Sequence, residues 1–135
     1  MTEPPSGPPP PATAELRDGT TLDLRALAEA ICARYGAEFG DEQERYGDAG
    51  MAWCLHDNQH IVNWAVTEAN GFGGFDRQLD WLAGVLEARD FPLDRLARDL
   101  EIAASVLDER DLRHPAEILA NGALLVRRRW DANLL

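Results

Sequence analysis

The sequence has no lysine: its 13 basic residues are all arginine, against 24 acidic residues, for a formal net charge of -11. A chain so short of positive charge has no basic face for phosphates, which argues against nucleic acid and against anionic membrane surfaces. The missing lysine itself reads as compositional bias. Cysteine is scarce, with only Cys32 and Cys54. There is no C-x-x-C and no Cys/His ligand spacing, so structural zinc is not expected. One disulfide is arithmetically possible. The start of the chain lacks a charged region followed by an apolar run, so a secretory signal is not expected. Together these give the expectation of a cytoplasmic protein with free thiols. No apolar run approaches the length of a membrane span. No nucleophile elbow, phosphate-cradling glycine loop or histidine–serine pairing is present, and the expectation is a protein that is not an enzyme.

What is present is enough for one domain. The chain has 135 residues, 45% of them hydrophobic, which suffices to bury a core. The first stretch, residues 1–19, opens "MTEPPSGPPPPATAE" and is expected to be a disordered, proline-rich tail. The domain proper is then 20–135. Leu24, Leu27, Ile31 and Tyr35 recur at helical spacing, with Thr20 or Thr21 as N-cap. "GDEQERYGDAG" predicts a short helix or turn. A helix is predicted from about Asp48 to Asn70, and "GFGGF" ends it. Phe75, Leu79, Leu82 and Leu86 mark another, with Trp81 read as packing. Pro92 opens one that carries Leu93, Leu96, Leu100, Ala103 and Leu107. Pro115 opens the last, with Ile118, Leu119, Ala123 and Val126. No run alternates in the manner of a strand. The fold class is therefore all-α.

The stretch "MAWCLHDNQHIVNWAV", residues 51–66, sets a cysteine, two histidines, an aspartate and two tryptophans on one predicted helix. At about 100° per residue, Met51, Leu55, Val62, Ala65, Val66 and Ala69 fall together as a core stripe. Trp53, Asp57, His60 and Trp64 fall on a second arc, with Cys54 and Ile61 at its edge. His56 and Asn63 point nearer the polar side. Two tryptophans beside a carboxylate and a thiol are costly to expose, so a covering partner is expected. Packed helices or an aromatic-lined cleft would serve. His56 and His60 also stand at a chelating i, i+4 spacing, but no third ligand accompanies them, and surface histidines are the simpler account. "RRRW", residues 127–130, suits the negative end of a helix dipole or an acidic partner.

"MAWCLHD" resembles the "MAxCLRD" segment of the phycobiliproteins, the bilin-carrying relatives of globins. "IVNWAV" is similar to the helix continuation in that family. The wider pattern, including "RYGAEFGDEQERYGDAG", resembles bacterial non-haem globins proposed as photosensors, over about Leu22 to Leu107. The resemblance implies a globin-like bundle of five to seven helices that holds a linear tetrapyrrole. By the same resemblance Cys54 would be the attachment or contact residue and Asp57 the partner of the pyrrole nitrogens. His56 stands where the family has an arginine for a propionate, and Arg45 or Arg77 could replace it. Trp53, His60 and Trp64 would be walls, with Ile61 beside them. A proline-rich tail in place of the family's assembly helices implies a sensor rather than an antenna, signalling through a homodimer or another protein. The alternatives are a chromophore-free dimerisation or interaction module, or haem or cobalamin in the same cleft, which would depend on His60 or His56.

Overall fold

The computed structural model describes residues 3–133. Two short strands, β1 (Thr13–Glu15) and β2 (Thr21–Asp23), precede five helices: α1 (Leu24–Glu38), α2 (Asp41–Ala69), α3 (Phe75–Ala88), α4 (Leu93–Glu109) and α5 (Arg113–Asn133). The all-α expectation holds, and the number of helices among the described residues lies within the expected range. The broadest pairings are α4 with α5 and α1 with α2. Leu24, Ile31, Ile61, Val62, Leu79, Leu100, Leu107 and Leu119 are fully enclosed where these helices meet.

Three local expectations are corrected. The stretch Thr13–Glu15, expected to belong to a disordered tail, does not stand apart from the domain. Thr13–Glu15 pairs antiparallel with Thr21–Asp23 in the register Ala14 to Leu22. The Asn70 amide donates to Glu15 O at 2.8 Å, and its Oδ1 accepts from the Arg17 backbone N–H at 3.0 Å. That side chain supplies partners which a two-stranded ribbon lacks by itself. The cap of α1 is Asp23, not a threonine: its Oδ1 accepts from Ala26 N–H at 3.0 Å. Trp81 is 64% exposed and does not pack.

The region before Asp48 is helical, as one of the two readings of "GDEQERYGDAG" had it. It is continuous with the longer helix except at Gly47, whose φ of 61° and ψ of -151° break the backbone within α2. Gly71, Gly73 and Gly74 all have positive φ, which is how "GFGGF" stops α2 and restarts the chain as α3. Helices α3 and α4 end without glycine. Asp90 and Asp111 take left-handed φ of 58° and 60°. The next N–H in each case closes back on the helix, Phe91 to Leu86 O at 2.9 Å and Leu112 to Leu107 O at 3.0 Å. The Arg89–Pro92 corner therefore has a defined shape, and it holds Phe91 over the site described next.

Two of the three "RRRW" arginines, Arg127 and Arg129, meet acids of this chain. Arg127 pairs with Glu101 at 2.9 Å, while Arg129 pairs with Asp80 and Glu87 and ties α5 to α3.

Candidate functional site

The core face of α2 differs from the expected stripe. Ile61, Val62, Ala65 and Val66 are buried, but so are Asn58 and Gln59, while Met51 is 45% exposed and Leu55 only half-buried. The α2 surface that meets α1 and α4 therefore runs through Cys54, Asn58 and Ile61. The sequence-predicted site residues divide between this surface and the next one round the helix.

Trp53, Cys54, Asp57 and Ile61 come together. They line a cavity of about 50 Å³ whose other walls are Tyr35, Glu42, Tyr46, Gly50, Leu86, Phe91, Arg95, Leu96 and Asp99. His56, His60 and Trp64 do not line it. They continue from Trp53 as a ladder of rings along α2, with centroid separations of 5.6 Å for Trp53–His56, 4.8 Å for His56–His60 and 5.9 Å for His60–Trp64. Both sides of the His60 ring are covered by neighbours. Burial, together with the His56 ring beside it, holds the His60 pKa below its ordinary value. His56 Nδ1 lies 3.1 Å from Asp57 Oδ1.

The tryptophans are covered from inside the chain. The Trp53 indole N–H donates to Glu3 O at 2.5 Å, and the Arg89 guanidinium lies 4.9 Å from its ring centroid. Gln59 donates to Pro11 O at 3.3 Å. The proline-rich segment is thus a strap across α2. Trp64 packs on the main core.

Cys54 is not a free thiol. It is bonded to Cys32 of α1, a residue only 1% exposed. This corrects the free-thiol expectation. Beside the bond, the Asn58 amide donates to Cys54 O at 2.9 Å and to Asp99 Oδ1 at 3.1 Å, and its nitrogen stands 3.4 Å from Cys54 Sγ. Burial pushes the Asp99 carboxyl up to about 7. The Asn58 hydrogen bond opposes that shift, and the negative charges of Asp57 and Glu42 add to it. The Tyr35 hydroxyl donates to Glu42 at 2.8 Å, and burial with this bond raises the Tyr35 pKa. Arg95 binds Glu42 at 2.8 Å and Asp41 at 3.0 Å.

On its other side the disulfide borders an open groove of about 320 Å³, lined by both cysteines, Tyr35, Phe39, Met51 and the glycines Gly36, Gly40, Gly47 and Gly50. At Gly36, Gly40 and Gly47 an added Cβ would meet nothing within 4 Å.

Cys32, Tyr35, Glu42, Asn58, Arg95 and Asp99 are site residues that the sequence reading passed over. Asp99 had a signal. It stands three residues after Leu96 and four before Ala103, inside the apolar stripe of α4, where a carboxylate is out of place. Neither arginine suggested as a propionate partner is here: Arg45 pairs with Asp41 at 3.3 Å, and Arg77 lies beside Gly74.

Sites for drug-sized ligands enclose roughly 300–1,000 Å³, against about 50 Å³ here, and the Cys54 sulfur is already bonded. Neither His56 nor His60 lines the cavity. Among the described residues no group of three His, Cys, Asp or Glu side chains is placed to hold a metal ion, and no helix is long and apolar enough to cross a membrane. The chain matches no protein-family model, no curated protein and no solved structure.

Proposed function

We propose that this domain is a non-enzymatic sensor whose input is the thiol–disulfide state of Cys32 and Cys54 and whose output leaves through a protein contact. The observation that supports it is the glycine-lined groove over the bond. A disulfide that only staples two helices is served by burial on every side. Here the groove reaches both cysteines, with Cys54 half-buried and Cys32 only 1% exposed. An external thiolate entering the groove forms a mixed disulfide with Cys54 and releases Cys32 as thiolate. A second external thiolate then displaces Cys54. The domain ends as a dithiol and the external thiols as a disulfide, with the two electrons accounted for.

Reduction removes the covalent tie between α1 and α2 at the foot of the ring ladder. The ladder and the strap over it are the surface best placed to report that change to a partner, which need not be a chromophore. The test is a titration in thiol–disulfide buffers with trapping of free thiols. The pair is expected to open between roughly -180 and -300 mV, the range of physiological thiol couples. A pair that stays oxidised well below that range would be a structural staple, and the reading would fall.

The photosensor reading keeps one supporting observation, the meeting of Trp53, Cys54, Asp57 and Ile61 at one cavity. It requires an open bond and a displaced Arg89–Pro92 corner. A visible absorption spectrum of the reduced protein, purified after co-expression with bilin-producing enzymes, tests it. Colourless, folded protein is the expected result.

A further inference from the structure

A disulfide opens readily when the sulfur that leaves can hold a negative charge. In the exchange described above that sulfur belongs to Cys32, a buried residue of α1. Burial without a hydrogen-bond donor disfavours a thiolate and raises the pKa of its thiol. Among the described residues, the Asn58 amide is the side-chain group that donates to either sulfur. Its nitrogen stands 3.4 Å from Cys54 Sγ and 3.6 Å from Cys32 Sγ. The same nitrogen has Cys54 O at 2.9 Å and Asp99 Oδ1 at 3.1 Å. Two N–H groups thus face four acceptors, while Asn58 Oδ1 has no partner. An apolar side chain would pack at this buried position without orphaning an acceptor. The amide instead points its donor end at the bond and leaves its acceptor end unused.

We infer that Asn58 is the group that lets this bond open, by donating an N–H to the Cys32 thiolate as the external thiol displaces it. A disulfide sulfur is a weak acceptor, so in the closed state the N–H groups go to Cys54 O and Asp99. When the external thiolate bonds to Cys54 Sγ, the electron pair of the broken S–S bond stays on Cys32 Sγ. That sulfur then carries a full charge beside the amide, and a charge-assisted hydrogen bond forms to it. The titratable groups that border Cys54 offer no substitute. Glu42, Asp57 and Asp99 are acids, and a further negative charge near them is disfavoured. Arg95 is committed to Asp41 and Glu42, and the Tyr35 hydroxyl donates to Glu42. Tyr46 completes the set, and no hydrogen bond joins it to either sulfur.

The inference rests on the sensor reading, in which external thiols open the bond, and one arm of its test does not. Asn58→Leu nearly keeps the shape and removes the donor, while Asn58→Ser keeps a donor. The first arm follows opening by 2-mercaptoethanol in the full chain, with trapping of free thiols. The second titrates the thiols after reduction with a phosphine, by the ultraviolet absorbance of the thiolate against pH. Asn58→Leu is expected to open on the order of tenfold more slowly, and its first thiol to ionise about one pH unit higher. Asn58→Ser should fall between it and the wild type. Lost packing alone would loosen the site and speed the opening, so slower opening isolates the donor. If Asn58→Leu does not fold, Asn58→Ala carries the same expectation. Opening as fast as in the wild type, or an unchanged thiol pKa in a folded variant, would overturn the inference while the sensor reading stands. A wild-type bond that stays shut to 2-mercaptoethanol overturns the sensor reading, and the thiol titration then decides the inference alone.

Discussion

Asn58 and Asp99 meet across the α2–α4 contact, the amide nitrogen 3.1 Å from the carboxylate oxygen, with both side chains almost wholly buried. This pair stands between the disulfide and the cavity. It makes the region behind Cys54 polar, and it has consequences for stability that can be measured.

Asp99 makes stability fall as pH rises. Its folded pKa of about 7 lies above the ordinary 3.8, so between those values the native state keeps a proton that the unfolded chain has released. The contribution is fully present below pH 3.8 and is lost as pH rises through 7. Over that window it amounts to about 4 kcal/mol at most. Asp99→Asn removes the slope while keeping an acceptor for Asn58. Urea unfolding of both proteins from pH 4 to 8 should show the variant gaining on the wild type up to about neutrality and then holding constant. Parallel curves would show that the carboxyl is not held near neutrality.

Opening the disulfide should weaken the fold without abolishing it. The bond closes a loop with a sequence separation of 22, for which chain entropy gives about 3 kcal/mol. A double Cys32→Ser, Cys54→Ser variant should show a lower denaturant midpoint by that order while keeping its helical circular dichroism. Its midpoint should no longer respond to reductant.

At Gly122, α5 packs tightly against α3. An added Cβ would lie 2.9 Å from Leu79 Cδ2 and 2.9 Å from Phe75 Cε1. Both neighbours are in the core, so Gly122→Ala should lose about 1–3 kcal/mol to overpacking despite the better helix propensity of alanine. A thermal melt measures it, and a neutral result would mean that the α3–α5 seam is looser than described.

Asn70 anchors the hairpin to the end of α2. Asn70→Ala removes the partners of Arg17 N–H and Glu15 O and should cost about 1–2 kcal/mol. Amide exchange over residues 13–23 should speed up more than exchange in α4. Uniform acceleration would mean that the hairpin and the bundle unfold as one unit.

The helices were legible because their apolar residues recur at three and four positions and their breaks fall at glycine or proline. The strap and hairpin were not. Thr13–Glu15 is too short to alternate, and its pairing depends on Asn70, more than fifty residues away. In the site, the cluster from Trp53 to Trp64 was visible as an excess of unusual residues on one helix, but its division was not. Which residues face the cavity depends on where α4 crosses α2. That crossing also brings in Asp99 and Arg95, which lie far along the chain. The bond between Cys32 and Cys54 follows from a different packing, that of α1 on α2. The composition pointed to free thiols because it describes the surroundings a protein is made for, not the geometry of two side chains.

The most direct test of the central claim is hydrogen exchange measured by mass spectrometry on the oxidised and the reduced protein. The account predicts faster exchange on reduction at the facing parts of α1 and α2 and in the strap over residues 3–12, with α5 unchanged. Identical exchange in the two states would contradict it, because a bond whose opening alters nothing cannot report its own oxidation state.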